Sequence, residues 1–157
     1  MRTPRRGDGG PDQALRRALG LLARREHSRA ELLAKLARSG HERAVAQGAV
    51  ENLARQGLVC DARFAEAFIR SRIERGSGPL RIRRDLEARG VEPEVVDRFL
   101  DAQDEEWEGR ARSARTKRFG AAPPGNRGEA ARQSRFLLGR GFTRRQVRRA
   151  IEESGWV

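Results

Sequence analysis

The sequence is poor in the residues that build deep cores and covalent frameworks. It has no tyrosine, one methionine and one cysteine in 157 residues. A lone cysteine, Cys60, excludes an intrachain disulfide scaffold and a cysteine-based zinc site, and it fits a reducing compartment. Leu, Ile, Val and Phe together supply 32 residues, about a fifth of the chain. That is close to the level at which a highly charged chain stops folding. It argues against one deep core and for several thin cores filled out with alanine. No apolar run approaches the roughly 18 residues of a spanning helix. The basic N-terminus leads into Gly, Asp and Pro rather than an apolar segment, so no secretory signal is legible. Histidine is scarce as well, with only His27 and His41.

Lysine is nearly absent, yet positive charge is plentiful. Lys35 and Lys117 are the only lysines among 34 basic residues, set against 22 acidic ones, for a net charge of +12. Base composition of the coding sequence accounts for much of the preference for Arg over Lys, but not for the excess over acids. Such an excess implies a polyanionic partner, because each phosphate neutralised releases condensed counterions. DNA, RNA, a nucleoprotein, an acidic protein surface and an anionic membrane surface all qualify on charge alone.

Residues 1–10 lack apolar side chains beyond Met1 and are expected to be a disordered basic tail. From Pro11 the apolar residues recur at helical spacing, and no β-branched alternation is present. Leu15, Leu19 and Leu22 make the first stripe, with Asp12 as its expected N-cap. Ser28 to Glu31 reads as a capping box before Leu32, Leu33 and Leu36. Val45, Ala49, Val50 and Leu53 follow Gly40 and stop at Gly57. Asp61 is the expected cap for Phe64, Phe68, Ile69 and Ile73. Gly76-Ser-Gly78 then breaks the pattern, and Pro79 opens a helix bearing Ile82 and Leu86. Gly90 ends it, and Pro93 opens another with Val95, Val96, Phe99 and Leu100. A further round carries Trp107, Ala111 and Ala114, a Pro/Gly loop, then Phe136 to Leu138. After Gly141, the capping box Thr143 to Gln146 leads into Val147, Ala150 and Ile151.

These rounds superpose on Gly40, Gly90 and Gly141, spaced 50 and 51 residues apart. Four residues before each glycine is a leucine, Leu36, Leu86 and Leu137. Six after come Ala46, Val96 and Val147, and ten after come Val50, Leu100 and Ile151. Matched columns at one period predict a tandem repeat. The expected fold is all-α, an elongated array of three three-helix repeats resembling helix-turn-helix units, over 11–59, 60–103 and 104–157, with a Pro/Gly loop at 120–128. Each unit is marginal alone and gains from stacking on its neighbours.

No catalytic set is legible. His27 and Glu31 at i, i+4 share one helix face, but no third metal ligand is present and Glu31 already serves the capping box. The carboxylates sit beside arginines, Glu66 with Arg70, Asp85 with Arg81 and Arg89, Asp97 with Arg98. They read as solvated helix-surface pairs rather than a nuclease cluster. No phosphate-cradling glycine motif is present. Cys60 lacks a neighbouring base. The chain is therefore expected to be no enzyme and to need no cofactor or metal.

The arginine clusters are the positive signal. Arg70, Arg72 and Arg75 precede the Gly76–Gly78 turn, and Arg81, Arg83 and Arg84 follow it. The two groups are expected to converge on a corner with exposed backbone N–H groups at a helix N-terminus. Arg144, Arg145, Arg148 and Arg149 are expected along one side of the last helix. Arg110, Arg112, Arg115, Lys117 and Arg118 form a third cluster. Helix, glycine turn, helix also resembles a DNA-reading helix-turn-helix, which would place Arg144 to Arg149 in a groove.

The segment Gln56 to Arg72, with Asp61-Ala-Arg63-Phe64-Ala65 at its centre, resembles the signature of the RecX family. So does its continuation with Gly78, Ile82, Leu86 and Gly90-Val91. The flanking segments around Ser28 to Leu36 and Arg135 to Thr143 are similar to family segments, so the likeness spans about residues 14–155. Cys60 stands where an acidic residue is usual in the family, and Phe68 where Tyr is frequent. The resemblance implies a non-enzymatic, cytoplasmic, monomeric regulator in DNA repair, homologous recombination and the SOS response. Its partner would be the RecA nucleoprotein filament, in whose groove it would lie, limiting growth, ATPase, strand exchange and coprotease activity. It would bind single- and double-stranded DNA weakly and without sequence preference, and no membrane. The ten arginines Arg70, Arg72, Arg75, Arg81, Arg83, Arg84, Arg144, Arg145, Arg148 and Arg149 are the expected RecA- and DNA-binding candidates. The alternative is a direct DNA-binding helix-turn-helix protein, a repressor or architectural factor.

Overall fold

The computed structural model describes residues 9–157. The expected tail at 1–10 lies, for residues 1–8, outside the described residues. Among the described residues every regular element is helical. The helices are α1 (Pro11–Arg24), α2 (Arg29–Arg38), α3 (Arg43–Arg55), α4 (Asp61–Glu74), α5 (Pro79–Ala88), α6 (Pro93–Asp101), α7 (Trp107–Phe119), α8 (Arg127–Arg140) and α9 (Arg144–Glu152), with one 3-10 turn before α7. They follow one another as three successive triplets, which is the repeat the glycine period implies. Among the described residues no helix is long and apolar enough to cross a membrane.

The first triplet closes as a bundle in which α1, α2 and α3 all touch. Its core is thin and alanine-rich. Ala14, Ala18, Ala46 and Ala49 fill the spaces around Leu32, Leu36, Val50, Leu53 and Val59. Each fully buried leucine contributes about 2 kcal/mol of transfer free energy. Alanine adds little itself but lets the helix axes approach. In the third triplet α7, α8 and α9 likewise pack on one another, around Trp107, Ala111, Leu137, Val147, Ala150 and Ile151.

The described residues form two compact units: those up to Ala67 together with Arg89–Val95, and Phe68–Ala88 together with Val96–Val157. The middle triplet is thus divided between them. Glycines at helix ends show why. In the first unit, the Ser28 hydroxyl donates to the Arg89 carbonyl at 2.7 Å, and a Cβ on Gly90 would overlap Ala30. In the second, Gly78 N–H donates to the Arg140 carbonyl at 2.7 Å and Leu80 N–H to that of Gly141 at 2.9 Å. A Cβ on Gly141 would lie 2.6 Å from the Arg81 backbone nitrogen. These are the same contact one repeat apart: 30 with 90, 81 with 141. The start of one repeat's second helix meets the glycine that ends the next repeat's second helix. In the second unit orphan N–H groups of one helix end meet orphan carbonyls of another, and in the first the Ser28 hydroxyl fills the donor's place.

Caps differ in detail from expectation. Ser28 accepts from Glu31 N–H at 3.1 Å, but the Glu31 carboxylate turns away, to Arg25 at 3.1 Å and Arg89 at 3.3 Å. The Thr143–Gln146 box is complete in both directions. Asp12 lies inside the first turn of α1, and Gly10 occupies the cap. Asp61 caps a different helix from the one it begins, accepting from Arg29 N–H at the start of α2 at 2.8 Å. Asn126 caps α8, accepting from Glu129 N–H.

Candidate functional site

The second unit holds a basic groove of about 410 Å³ lined by the end of α4, by α7, by the end of α8 and by Phe142. Five cations line it, Arg75, Arg110, Lys117, Arg118 and Arg140, against one carboxylate, Glu74. Helical spacing puts Arg110, Ala114 and Lys117 on one face of α7, turned to the groove. Arg110 is tied by Gln103 Oε1 at 2.8 Å and by an ion pair to Glu106. Among the described residues Arg75, Lys117, Arg118 and Arg140 form no ion pair.

Aromatic rings hold two of these groups, the Arg118 and Arg140 guanidiniums, in place. Phe119 and Phe136 meet edge to face, ring centroids 5.3 Å apart. Arg140 lies 5.2 Å from the centre of the Phe136 ring and Arg118 5.3 Å from that of Phe119. Arg132 caps Phe119 at 5.5 Å. Ring quadrupoles attract the cations and, unlike carboxylates, do not cancel their charge. The result is a surface with a net excess of positive charge, suited to a chain of phosphates.

The ten arginines expected at the site are dispersed. Arg75 alone lines the groove, and Arg140 donates to its carbonyl at 3.4 Å. Arg70 is exposed on α4, and Arg72 covers the Phe68 ring at 4.6 Å. Arg81 and Arg84 are exposed on α5. Arg83 pairs with Asp97 of α6, which therefore does not pair with Arg98 as the spacing suggested. Arg144 and Arg148 border a separate apolar groove. Arg145 points to Glu108 at 3.4 Å, in a hollow that also holds Asp104 and Glu105. Arg149 is exposed. All four arginines of α9 are exposed, opposite buried Val147, Ala150 and Ile151.

Two further expectations need correction. The corner at Gly76–Gly78 is not an open anion nest: Ser77 is buried, and the Gly78 and Leu80 N–H groups are taken by Arg140 and Gly141. Arg115 is no surface cation. It is 1% exposed, donating to Gln133 Oε1 at 3.0 Å, to the Gly120 carbonyl at 3.3 Å and to that of Ala122 at 2.5 Å. It fastens the Pro/Gly loop with neutral acceptors, and burial pulls its proton affinity down. Sequence reasoning also missed Arg140, which a Phe136–Arg140 i, i+4 pair on α8 signals.

His27 is 1% exposed. Nδ1 lies 3.0 Å from the Arg25 carbonyl and Nε2 3.0 Å from Lys35 Nζ, an arrangement that a neutral imidazole satisfies, donating to one and accepting from the other.

Comparison with known proteins places this architecture. Residues 14–53 match the first three-helix domain of RecX, and 61–100 match the second. The regulatory protein RecX of Halorhodospira halophila is 50% identical over 143 residues, covering 90% of this chain and 89% of its own. The chain belongs to the RecX family. That of Chromohalobacter salexigens is 45% identical over 134 residues, covering 85% of this chain and 88% of its own. A crystal structure of RecX from Lactobacillus salivarius superposes with a TM-score of 0.80 at 18% identity, covering 94% of this chain and 97% of that one. A second, of regulatory protein RecX, gives 0.79 at 22% identity, covering 91% and 73%. These two establish the fold. The basic groove lies mainly in the third triplet, beyond the two matched RecX domains.

Proposed function

We propose that this RecX-family chain is a non-enzymatic regulator that binds the RecA–DNA filament and mostly inhibits its growth, ATPase, strand exchange and coprotease activity. The observation that carries the reading is the basic groove, where four cations form no ion pair among the described residues and a single carboxylate joins them in the lining. A phosphodiester backbone supplies the missing negative charge, and release of its counterions supplies the driving force. No base-reading geometry is required, so binding to DNA alone is weak and indifferent to sequence. Arg75 joins the α4–α5 and α9 clusters to the groove, and the other nine arginines of those clusters extend the contact to RecA and DNA beyond it. Repeats over 11–59, 60–103 and 104–157 present these surfaces from a cytoplasmic monomer.

No chemical step is needed. A filament that grows by adding subunits is controlled by any ligand that binds its states unequally. One molecule in the polymer affects many protomers. The test is ATP hydrolysis by RecA filaments preassembled on single-stranded DNA, with this chain added far below the RecA concentration. A progressive loss of ATPase at such doses is expected, and Arg118→Glu with Arg140→Glu should move the dose required upward at least tenfold. Loss only once the chain is abundant enough to coat the DNA would refute filament regulation and leave a plain DNA-binding protein.

A further inference from the structure

A second groove in the same unit has a different character. It runs between α8 and α9, with a volume of about 830 Å³. Val147 and Ile151 of α9 line it together with Leu138 of α8 and Trp156. Leu138 is 43% exposed although its neighbour Leu137 is fully buried. Leu58 and Leu80 are more exposed still, but Leu138 differs in lying beside Val147, Ile151 and Trp156 in one contiguous apolar lining. The rim carries Arg144 and Arg148, one helical turn apart, both exposed. Among the described residues neither forms an ion pair. Glu152 stands at the far end of the same lining.

We propose that this groove docks one amphipathic helix of a partner protein, bearing an apolar stripe flanked by carboxylates. A cleft between two helices is filled by a third, whose apolar residues at i, i+4 and i+7 enter it. The Arg144–Arg148 spacing matches carboxylates one turn apart on such a helix. Nucleic acid fits poorly: an aliphatic floor offers a phosphate backbone nothing, and only two cations border it. The N-terminal residues of this chain carry Arg2, Arg5 and Arg6, charges of the same sign as the rim. A second copy is the competing occupant, and the self-association measurement below tests it. The proposal rests on the reading above for the partner's identity, and it assigns the protein half of the filament to a surface apart from the phosphate groove.

The experiment uses the full chain, labelled with nitrogen-15, and an 18-residue helical peptide with leucines at i, i+4 and i+7 flanked by glutamates. Saturable shifts are expected at the Trp156 indole N–H and the Leu138 and Val147 amides. Leu138→Asp, at a half-exposed position, should weaken the peptide at least tenfold, as should Arg144→Glu with Arg148→Glu. Affinity for a single-stranded oligonucleotide should stay within twofold for Leu138→Asp. No saturable shift with the peptide, or shifts centred elsewhere, overturns the proposal. So does self-association that Leu138→Asp abolishes, since the occupant is then a second copy. RecA without DNA, titrated onto wild type and Leu138→Asp, separates the two readings. Binding lost in the variant supports the groove. Equal binding to both overturns the groove and leaves filament regulation standing. Peptide binding with no RecA binding by either form keeps the groove and removes RecA as its partner.

Discussion

Replacing Gly141 by alanine tests the glycine contact that joins one repeat to the next. Gly141 has φ +97°, a region that costs an L-residue about 1–2 kcal/mol. The new methyl also lands on the Arg81 Cβ and 2.6 Å from its backbone nitrogen, so α5 has to move. Overpacking of this kind costs about 1–3 kcal/mol. Movement stretches the bonds from Gly78 and Leu80 to Arg140 and Gly141, each worth about 1 kcal/mol. Relaxation shares these terms, and a net loss of about 3 kcal/mol is expected. Gly76 in the same unit is the control. Its φ is +81°, and a Cβ there meets nothing within 4 Å, so Gly76→Ala should cost only about 1–2 kcal/mol from backbone strain. Urea denaturation followed by circular dichroism at 222 nm reads both. Equal midpoints for the two variants would refute the close-approach argument and leave backbone strain as the whole effect.

Arg115→Met should cost roughly 2–3 kcal/mol by stranding Gln133 Oε1 and two carbonyls, and Arg115→Lys should rescue little because one ammonium cannot reach all three. Proteolysis at the 120–125 loop should accelerate in both, and unchanged cleavage would disprove the fastening role. His27 titrates below its ordinary value of 6.5, chiefly through burial, aided by the charges of Arg25 and Lys35 and opposed by its hydrogen bond to the Arg25 carbonyl and by the Glu31 charge. The unfolded chain therefore binds the proton first as pH falls. Stability should be full above about pH 7 and decline as pH drops through 6.5 towards the folded value. His27→Gln should flatten that slope in urea midpoints measured between pH 5 and 8, and an unaltered slope would exonerate the histidine. Arg81→Glu with Arg84→Glu, flanking buried Ile82, should leave the circular dichroism spectrum intact and raise the dose needed to inhibit RecA ATPase several-fold. An identical inhibition curve would remove α5 from the interface.

Much of the fold was legible because it is local. Apolar spacing of 3.6 residues, Ser28 and Thr143 before their helices, and glycines at 40, 90 and 141 are features of neighbouring residues, so a single sequence shows them. The 50-residue period followed from the same columns, and the RecX likeness agreed with it. What the sequence could not show was which charged groups meet. Arg115 lies two and three residues from Lys117 and Arg118, yet the chain path of the loop buries it against Gln133 while they face a groove. Arg83 finds Asp97, fourteen residues on, rather than a neighbour. Arg140 joins Arg75, Arg110, Lys117 and Arg118 only because α4, α7 and α8 bring their ends together. Of the four arginines of α9, Arg145 meets Glu108 of α7 while Arg144 and Arg148 border the apolar groove beside α8. Charge, repeat and helix placement are properties of the chain's local order. The pooling of cations into one groove, and the opening of an apolar one beside it, depend on how helices far apart in sequence pack. Coulomb forces act through space and burial removes water from either side, so only the tertiary structure decides which arginines remain free to bind.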